Sequence, residues 1–328
     1  MFSGGIELGG TVMKLHRSIE EFKDIILIVS EHQGLDPTIV EKDYWITSAL
    51  YHLSKSEYKN NVVFKGGTSL TKCYKDLHRF SEDIDIAILA NDMTNSKIKK
   101  TLQKVEEIMS FELKSNEFDE ERKSGDYRYT QFTYDSLFSG NLRELHPKIR
   151  FELTSFMHPH PYEHRKVGTF IEQYLNENGM HDVIAEFELE KFELNVLSIE
   201  RTVIEKLASL IRMSYQEDLK EFQTKTRHLY DLYMTYSMVS KFYEDEKALS
   251  EMVGIVKEAE AKSRFKDMYP SDVQWNTAPL FSILDDSRIE IAYRERFGVE
   301  FVYGDLPDFD EVKKVILELH RTLTKCNI

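Results

Sequence analysis

Of the 328 residues only two are cysteine, Cys73 and Cys326, and only seven are proline. Two thiols without metal-ligand spacing exclude a disulfide framework and a zinc ribbon, and they fit a reducing compartment. No apolar run approaches the roughly 20 residues that span a bilayer, and the N-terminus lacks the basic-then-apolar pattern of a secretory signal. A soluble, cytoplasmic chain with no membrane contact is therefore expected. Basic residues are in deficit: 43 Lys and Arg stand against 57 Asp and Glu, a formal charge of −14. An acidic surface repels phosphate backbones, which excludes a general nucleic-acid coat and leaves room only for a local basic cleft. Internal repeats and low-complexity segments are absent.

What is present is the composition of a folded protein, 41% hydrophobic and 30% charged. That is enough apolar material to exclude a disordered chain. The length allows two domains. Residues 1–13 are glycine-rich and expected to be poorly ordered. Apolar positions at helical spacing predict helices over 14–32, 37–53, 68–77 and 96–109, with Pro37 suited to a first turn. Strands are expected at 62–64, 83–89, 127–134 and 148–156, and 184–197 reads as a strand pair or one irregular strand. After Ser198 the pattern is helical, clearest at 199–215, 227–242, 246–261 and 309–324. Strands mixed with helices and then a run of helices predict an α+β fold. The expected division is a domain over 14–197 and a helical domain over 198–328, joined without a flexible linker.

The chemistry concentrates in FKGGTSLTKCYKDLHRFSEDIDIAI, from Phe64 to Ile88. On a strand, Asp83 and Asp85 project from one face while Ile84, Ile86 and Ile88 occupy the other. Two carboxylates held close repel each other, and a divalent cation relieves them. Magnesium suits such a pair because it takes few protein carboxylates and completes its shell with water and phosphates. Gly66 and Gly67 lie between a strand and a helix starting near Thr68, where glycine lets backbone approach a phosphate and the helix start supplies free N–H donors. Each feature alone also fits a bland reading, a solvated strand edge or a plain turn. Together they form a phosphate cradle beside a metal pair, which is what phosphoryl or nucleotidyl transfer needs.

These residues resemble the DNA polymerase beta-like nucleotidyltransferase superfamily, whose mark is a Gly-Gly or Gly-Ser turn followed, after a short helix, by Asp-x-Asp. More closely, FKGGTSL and HRFSEDIDI are similar to the AbiEii-type toxins, which include the MenT toxins, and EKDYW (Glu41 to Trp45) resembles the helix that precedes their signature. Fifteen residues separate Gly67 from Asp83, a spacing that favours the toxin branch. The resemblance runs from about residue 14 to 233. It implies a polymerase beta-like core, a small mixed sheet flanked by helices, packed on a helical C-terminal domain. It implies a third carboxylate from a neighbouring strand, best matched by Glu152 in KIRFELTSF, with Arg150 on the same face; an exposed Arg150–Glu152 pair on an edge strand is the alternative, and Glu188 or Glu190 are other sources of the ligand. It also implies a helical lysine matched by Lys206 and a helical aspartate matched by Asp231, with Arg227 one turn before. Ser198 suits the cap of the lysine's helix.

On this reading the chain is a toxin of a toxin–antitoxin or abortive-infection (phage-defence) system. It would move a nucleoside monophosphate from a nucleoside triphosphate to an RNA acceptor, the tRNA 3′ end favoured. Two Mg2+ ions, or Mn2+, would sit on Asp83, Asp85 and Glu152. Lys65, Gly66, Gly67, Thr68, Arg79, Ser81 and Lys206 would bind the nucleotide, and Asp231 would organise Lys206 or the acceptor. A cognate antitoxin is an expected partner. The alternatives are a protein or small-molecule acceptor, or a catalytically silent GTP- or NTP-binding regulator. Arg79 also suits a pair with Glu82 or Asp76, Ser81 a modification site, and Lys65 a snorkelling strand-end lysine. His158, His160 and His164 fall in HPHPYEHRK, whose prolines favour a surface loop over zinc binding. With Arg165 and Lys166 that loop, like Lys220, Lys225, Arg227 and His228, offers local positive charge to RNA.

Overall fold

The structure is a computed structural model that describes residues 13–74, 77–91, 93–116, 120–138, 147–156, 158–263, 265–268 and 273–328. Of the N-terminal segment expected to lack order, residues 1–12 lie outside the described residues, and Met13 is buried. The chain forms two compact units. One takes the chain up to Phe64 with Glu82–Ser155 and His164–Val196; the other takes Lys65–Ser81, Phe156–Glu163 and Leu197–Ile328.

The first unit opens with α1 (Ile19–Gln33) and α2 (Pro37–Lys55). The start of α2 follows its sequence: Pro37 takes the first turn, and Asp36 accepts from the Thr38 amide at 2.9 Å. Every side chain from Thr38 to Ser54 is buried, EKDYW included. The sheet comprises β1 (Val62–Lys65), β2 (Asp83–Ile88), β3 (Lys114–Ser115), β4 (Arg122–Lys123), β5 (Tyr127–Thr133), β6 (Lys148–Thr154), β7 (Tyr162–Val167) and β8 (Phe192–Leu197). Its order is β3-β5-β6-β2-β1-β8-β7, with β4 pairing β5. The sheet is mixed, since β2 runs parallel to β6 and β1 to β8, while β5 is antiparallel to β6.

Alternation sets the faces. Ile84, Ile86 and Ile88 of β2 and Ile149, Phe151 and Leu153 of β6 are all fully buried. Each contributes about 1.5–3 kcal/mol by leaving water. Helix α4 (Asn95–Met109) lies against β2, β6 and α2, capped by Thr94, whose hydroxyl accepts from the Lys97 amide at 3.3 Å.

Three sequence expectations are corrected here. Residues 184–187 are helical, in α6 (His181–Phe187) after α5 (Phe170–Glu177), and only β8 is a strand. Ile184 and Phe187 are three apart, a helical spacing that the short alternation concealed. Glu188 ends α6 in the left-handed region at φ 54. The loop expected at HPHPYEHRK stops at Pro161, because a proline cannot donate to the ladder, and β7 follows. Strand β6 is not an edge, since β5 and β2 flank it.

The second unit holds α3 (Gly66–Cys73), shorter than expected, and then α7 (Ile199–Ser214), α8 (Leu219–Gln223), α9 (Thr226–Thr235), α10 (Ser240–Glu244), α11 (Glu246–Ala261), α12 (Leu280–Ile283), α13 (Ser287–Ile291), α14 (Val299–Phe301) and α15 (Phe309–Lys325). The helix expected over 227–242 is broken by a 3-10 turn at Tyr236–Val239. As the sequence predicts, Ser198 caps α7, its hydroxyl accepting from the Arg201 amide at 3.2 Å. Val203, Leu207, Leu210 and Ile211 of α7 pack with Tyr230, Trp275, Tyr293 and Phe309 in one core. No helix among the described residues is long and apolar enough to cross a membrane.

Candidate active site

In the first unit the carboxylates are set by strand register. Asp83 and Asp85 are half-buried on β2, alternating with buried isoleucines. The parallel pairing with β6 places Asp85 opposite Glu152 and Asp83 opposite Arg150. On the far side of β6, Tyr129 of β5 is the partner of Glu152. Glu152 is thus the carboxylate that register brings beside Asp85. The alternatives sit elsewhere: β8 is separated from β2 by β1, Glu188 is in an ion pair with Lys14, and Glu190 is exposed.

The surrounding charges form a network that the sequence did not disclose. Lys42 of α2 is 1% exposed, and its ammonium donates to Glu82 Oε2 at 2.8 Å. The other oxygen of Glu82 lies 3.4 Å from Arg150 Nη1, which is 3.8 Å from Asp83 Oδ1. Burial works against the Arg150 charge, but Asp83 and Glu82 outweigh it and raise its pKa. The Tyr129 phenol is pushed up to about 12, by burial first and then by the Asp83 charge. A signal for Lys42 existed in EKDYW, but only a helix buried on all sides makes that lysine internal.

The donor set fits magnesium chemically: carboxylate oxygens, two of them on adjacent strands in register. Among the described residues no group of three acidic, histidine or cysteine side chains already converges tightly enough to cage an ion. Asp83, Asp85 and Glu152 thus form no preassembled three-ligand cage, and a magnesium ion there would take the rest of its shell from water and phosphate. Among the described residues His158, His160 and His164 form no metal-binding group.

In the second unit the glycines answer to local geometry. Gly66 has φ 78, a left-handed conformation that side chains with Cβ avoid. A Cβ on Gly67 would lie 2.7 Å from Arg79 Nη2 and 3.0 Å from Ser81 Oγ, so any larger residue would have to shift the Arg79 guanidinium. The Thr68 hydroxyl donates to Ser81 Oγ at 2.9 Å. Lys65 Nζ stands 3.4 Å from Glu205 Oε2, and Arg201 Nε donates to the other oxygen at 3.0 Å.

Arg79 is where the structure departs most from expectation. It is 2% exposed and committed to Asp231, with Nε donating at 2.6 Å and Nη2 at 2.9 Å, while Nη1 donates to the Phe80 carbonyl at 3.0 Å. It makes no bond to Glu82, and Asp76 lies outside the described residues. Asp231 is fully buried and also holds Lys206 Nζ at 2.7 Å, so its partners are Arg79 and Lys206. Burial alone would raise the Asp231 pKa; Arg79 and Lys206 reverse this and lower it. Burial lowers the Lys206 pKa, with Asp231 opposing and Arg79 assisting. The neighbouring His228 is kept neutral, its pKa driven well down by burial and by the Lys206, Lys225 and Arg227 charges.

The first unit thus carries a carboxylate pair at the start of a sheet strand, and the second unit a glycine turn and a lysine–aspartate pair on helices. The chain belongs to the AbiEii family: the family model described as nucleotidyl transferase AbiEii toxin, type IV TA system, matches residues 48–315. It is thus a nucleotidyltransferase of a type IV toxin–antitoxin system, a class that implies a nucleoside triphosphate and an antitoxin as partners. In fold it is similar to MenT4, the nucleotidyltransferase toxin Rv2826c of Mycobacterium tuberculosis H37Rv, at 18% identity over 91% of this chain and 89% of that one, with a TM-score of 0.51. A putative nucleotidyltransferase from H. pylori matches at 15% identity over 89% of this chain and 98% of its own, with a TM-score of 0.48. No curated protein matches.

Proposed function

We propose that the chain transfers a nucleoside monophosphate from a nucleoside triphosphate to the 3′ end of tRNA. The observation that carries the metal-site half of this reading is the register of Asp85 with Glu152, next to Asp83 and Arg150. Asp83, Asp85 and Glu152 would hold magnesium, or manganese in its place. Bound there, such ions supply charge neutralisation of the triphosphate and a lowered pKa for the acceptor hydroxyl. The acceptor hydroxyl gives its proton to solvent as its oxygen forms a bond to the α-phosphorus, the bond from that phosphorus to the α–β bridging oxygen breaks, and pyrophosphate departs. Gly66, Gly67, Thr68, Ser81 and Lys65 serve the phosphates. Lys206 offers its ammonium to the departing pyrophosphate.

Asp231 orients Lys206 and holds its proton, and Arg79 acts through Asp231 rather than on phosphate. Burial lowers the Lys206 pKa, and an arriving polyphosphate would add a second anion that favours its charged form. The tRNA acceptor rests on the resemblance to the MenT toxins, as do the cytoplasmic setting and a role in phage defence. Incubating the protein with total tRNA, magnesium and each labelled triphosphate in turn tests the reading, with Asp83→Ala as control. Label on RNA from the wild type alone is the expected result. Magnesium-dependent nucleotide binding without transfer would redirect the acceptor to a protein or small molecule, and binding with no turnover on any acceptor would favour a silent regulator.

A further inference from the structure

Arg150 is held by longer contacts than Arg79 or Arg128. Arg79 gives Asp231 two bonds of 2.6 and 2.9 Å, and Arg128 gives Glu106 two of 2.7 and 2.8 Å. Arg150 makes one long bond, 3.4 Å to Glu82, and a 3.8 Å approach to Asp83. Its Nε is buried and has no hydrogen-bond partner among the described residues, while the side chain as a whole is 34% exposed. A guanidinium offers five donors in a fork matched to carboxylates and phosphates; unpartnered N–H groups also occur on Arg201, but of the two only Arg150 lies beside the carboxylate pair. Glu82 itself is anchored, because buried Lys42 holds its second oxygen at 2.8 Å. The guanidinium therefore leans on a fixed carboxylate within reach of Asp83.

We propose that Arg150 is the resting counter-ion of Asp83, displaced when a divalent cation takes over that carboxylate, and then a ligand of the nucleotide's triphosphate. The proposal rests on the nucleotidyl-transfer reading above. Its logic is electrostatic: a cation bound at Asp83 would repel the guanidinium that lies 3.8 Å from Asp83 Oδ1, and a triphosphate offers that guanidinium oxygens of the geometry its fork fits. Glu82, held by Lys42, keeps the side chain in place during the exchange. Arg150 should thus oppose the metal before the nucleotide arrives and support the nucleotide once the metal is bound.

The experiment titrates Mn2+ alone into the full chain and follows free Mn2+ by electron paramagnetic resonance, for the wild type, Arg150→Gln, Arg150→Lys and Asp83→Ala. Without nucleotide, Arg150→Gln should bind Mn2+ about fivefold more tightly than the wild type, the order expected on removing a half-buried opposing charge. In the Mn2+-loaded protein, inorganic triphosphate should bind Arg150→Gln about tenfold more weakly, as for a lost charged hydrogen bond. Arg150→Lys keeps the charge without the fork, so it should show wild-type Mn2+ affinity and weakened triphosphate binding. Unchanged or weaker Mn2+ binding in Arg150→Gln, with binding lost in Asp83→Ala, would overturn the counter-ion role and leave the nucleotidyl-transfer reading standing. Unchanged triphosphate binding in Arg150→Gln would overturn the ligand role. Mn2+ binding that survives in Asp83→Ala would overturn the metal assignment and this proposal together.

Discussion

Asp231 concentrates the energetics of the helical unit: one fully buried carboxylate holds a bidentate Arg79 and the ammonium of Lys206. Removing its charge leaves two cations in a low-dielectric setting with no counter-charge, and such losses cost about 3–5 kcal/mol. Asp231→Asn should therefore lower unfolding free energy by about that amount in urea titrations, and a loss below about 1 kcal/mol would contradict the account. Asp83, half-exposed beside Arg150, is different in kind. Asp83→Ala should change stability by less than about 1 kcal/mol while abolishing transfer. His228 adds a pH signature. Its folded pKa is depressed by burial and neighbouring cations, so the unfolded state takes up a proton first on acidification. Its contribution is complete above about pH 6.5 and declines below it. His228→Gln should reduce the slope of stability against pH below that point by about 1.4 kcal/mol per unit; an unaltered slope would show that His228 is not neutral in the fold.

Strand register decides which carboxylate stands beside Asp85. Strand β6, in register with β2, brings Glu152 opposite Asp85, whereas Glu190 is exposed just before β8. Glu152→Gln should reduce transfer by about a hundredfold or more, on the scale of losing a principal electrostatic stabiliser, and Glu190→Gln should leave it unchanged. The glycine turn is equally specific. Gly67→Ala puts a methyl 2.7 Å from the Arg79 guanidinium and should both destabilise the fold by about 1–3 kcal/mol and depress activity. The sequence made β2 legible because strict alternation places two aspartates against three isoleucines, and Ser198 legible because capping is local. It did not disclose the Arg79–Asp231 pair, which joins residues 152 positions apart, nor the Lys42–Glu82 pair, since burial of a helical lysine depends on what packs around the helix. It misread 184–187 because two apolar residues fit either period over so short a span.

At the scale of the whole molecule the charge of −14 limits how RNA can be held. An acidic chain that binds tRNA through two or three phosphates should lose about ten- to fortyfold in affinity between roughly 50 and 200 mM salt. A loss of a thousandfold, measured by filter binding across that range, would indicate many phosphate contacts and contradict a local cleft. The compact units also divide the chain in a way that linear pattern could not anticipate, with Lys65–Ser81 grouped with the helices after Leu197. Hydrophobic periodicity reports the face of an element and not its tertiary neighbours. The most direct measurement of the central claim compares two labels on the same nucleoside triphosphate, incubated with tRNA, magnesium and either the wild type or Asp83→Ala. Label at the α-phosphate should pass to RNA with the wild type alone, while label at the γ-phosphate should appear only in released pyrophosphate. Transfer of the γ-label to RNA, or equal α-label transfer by Asp83→Ala, would contradict nucleotidyl transfer at this carboxylate pair.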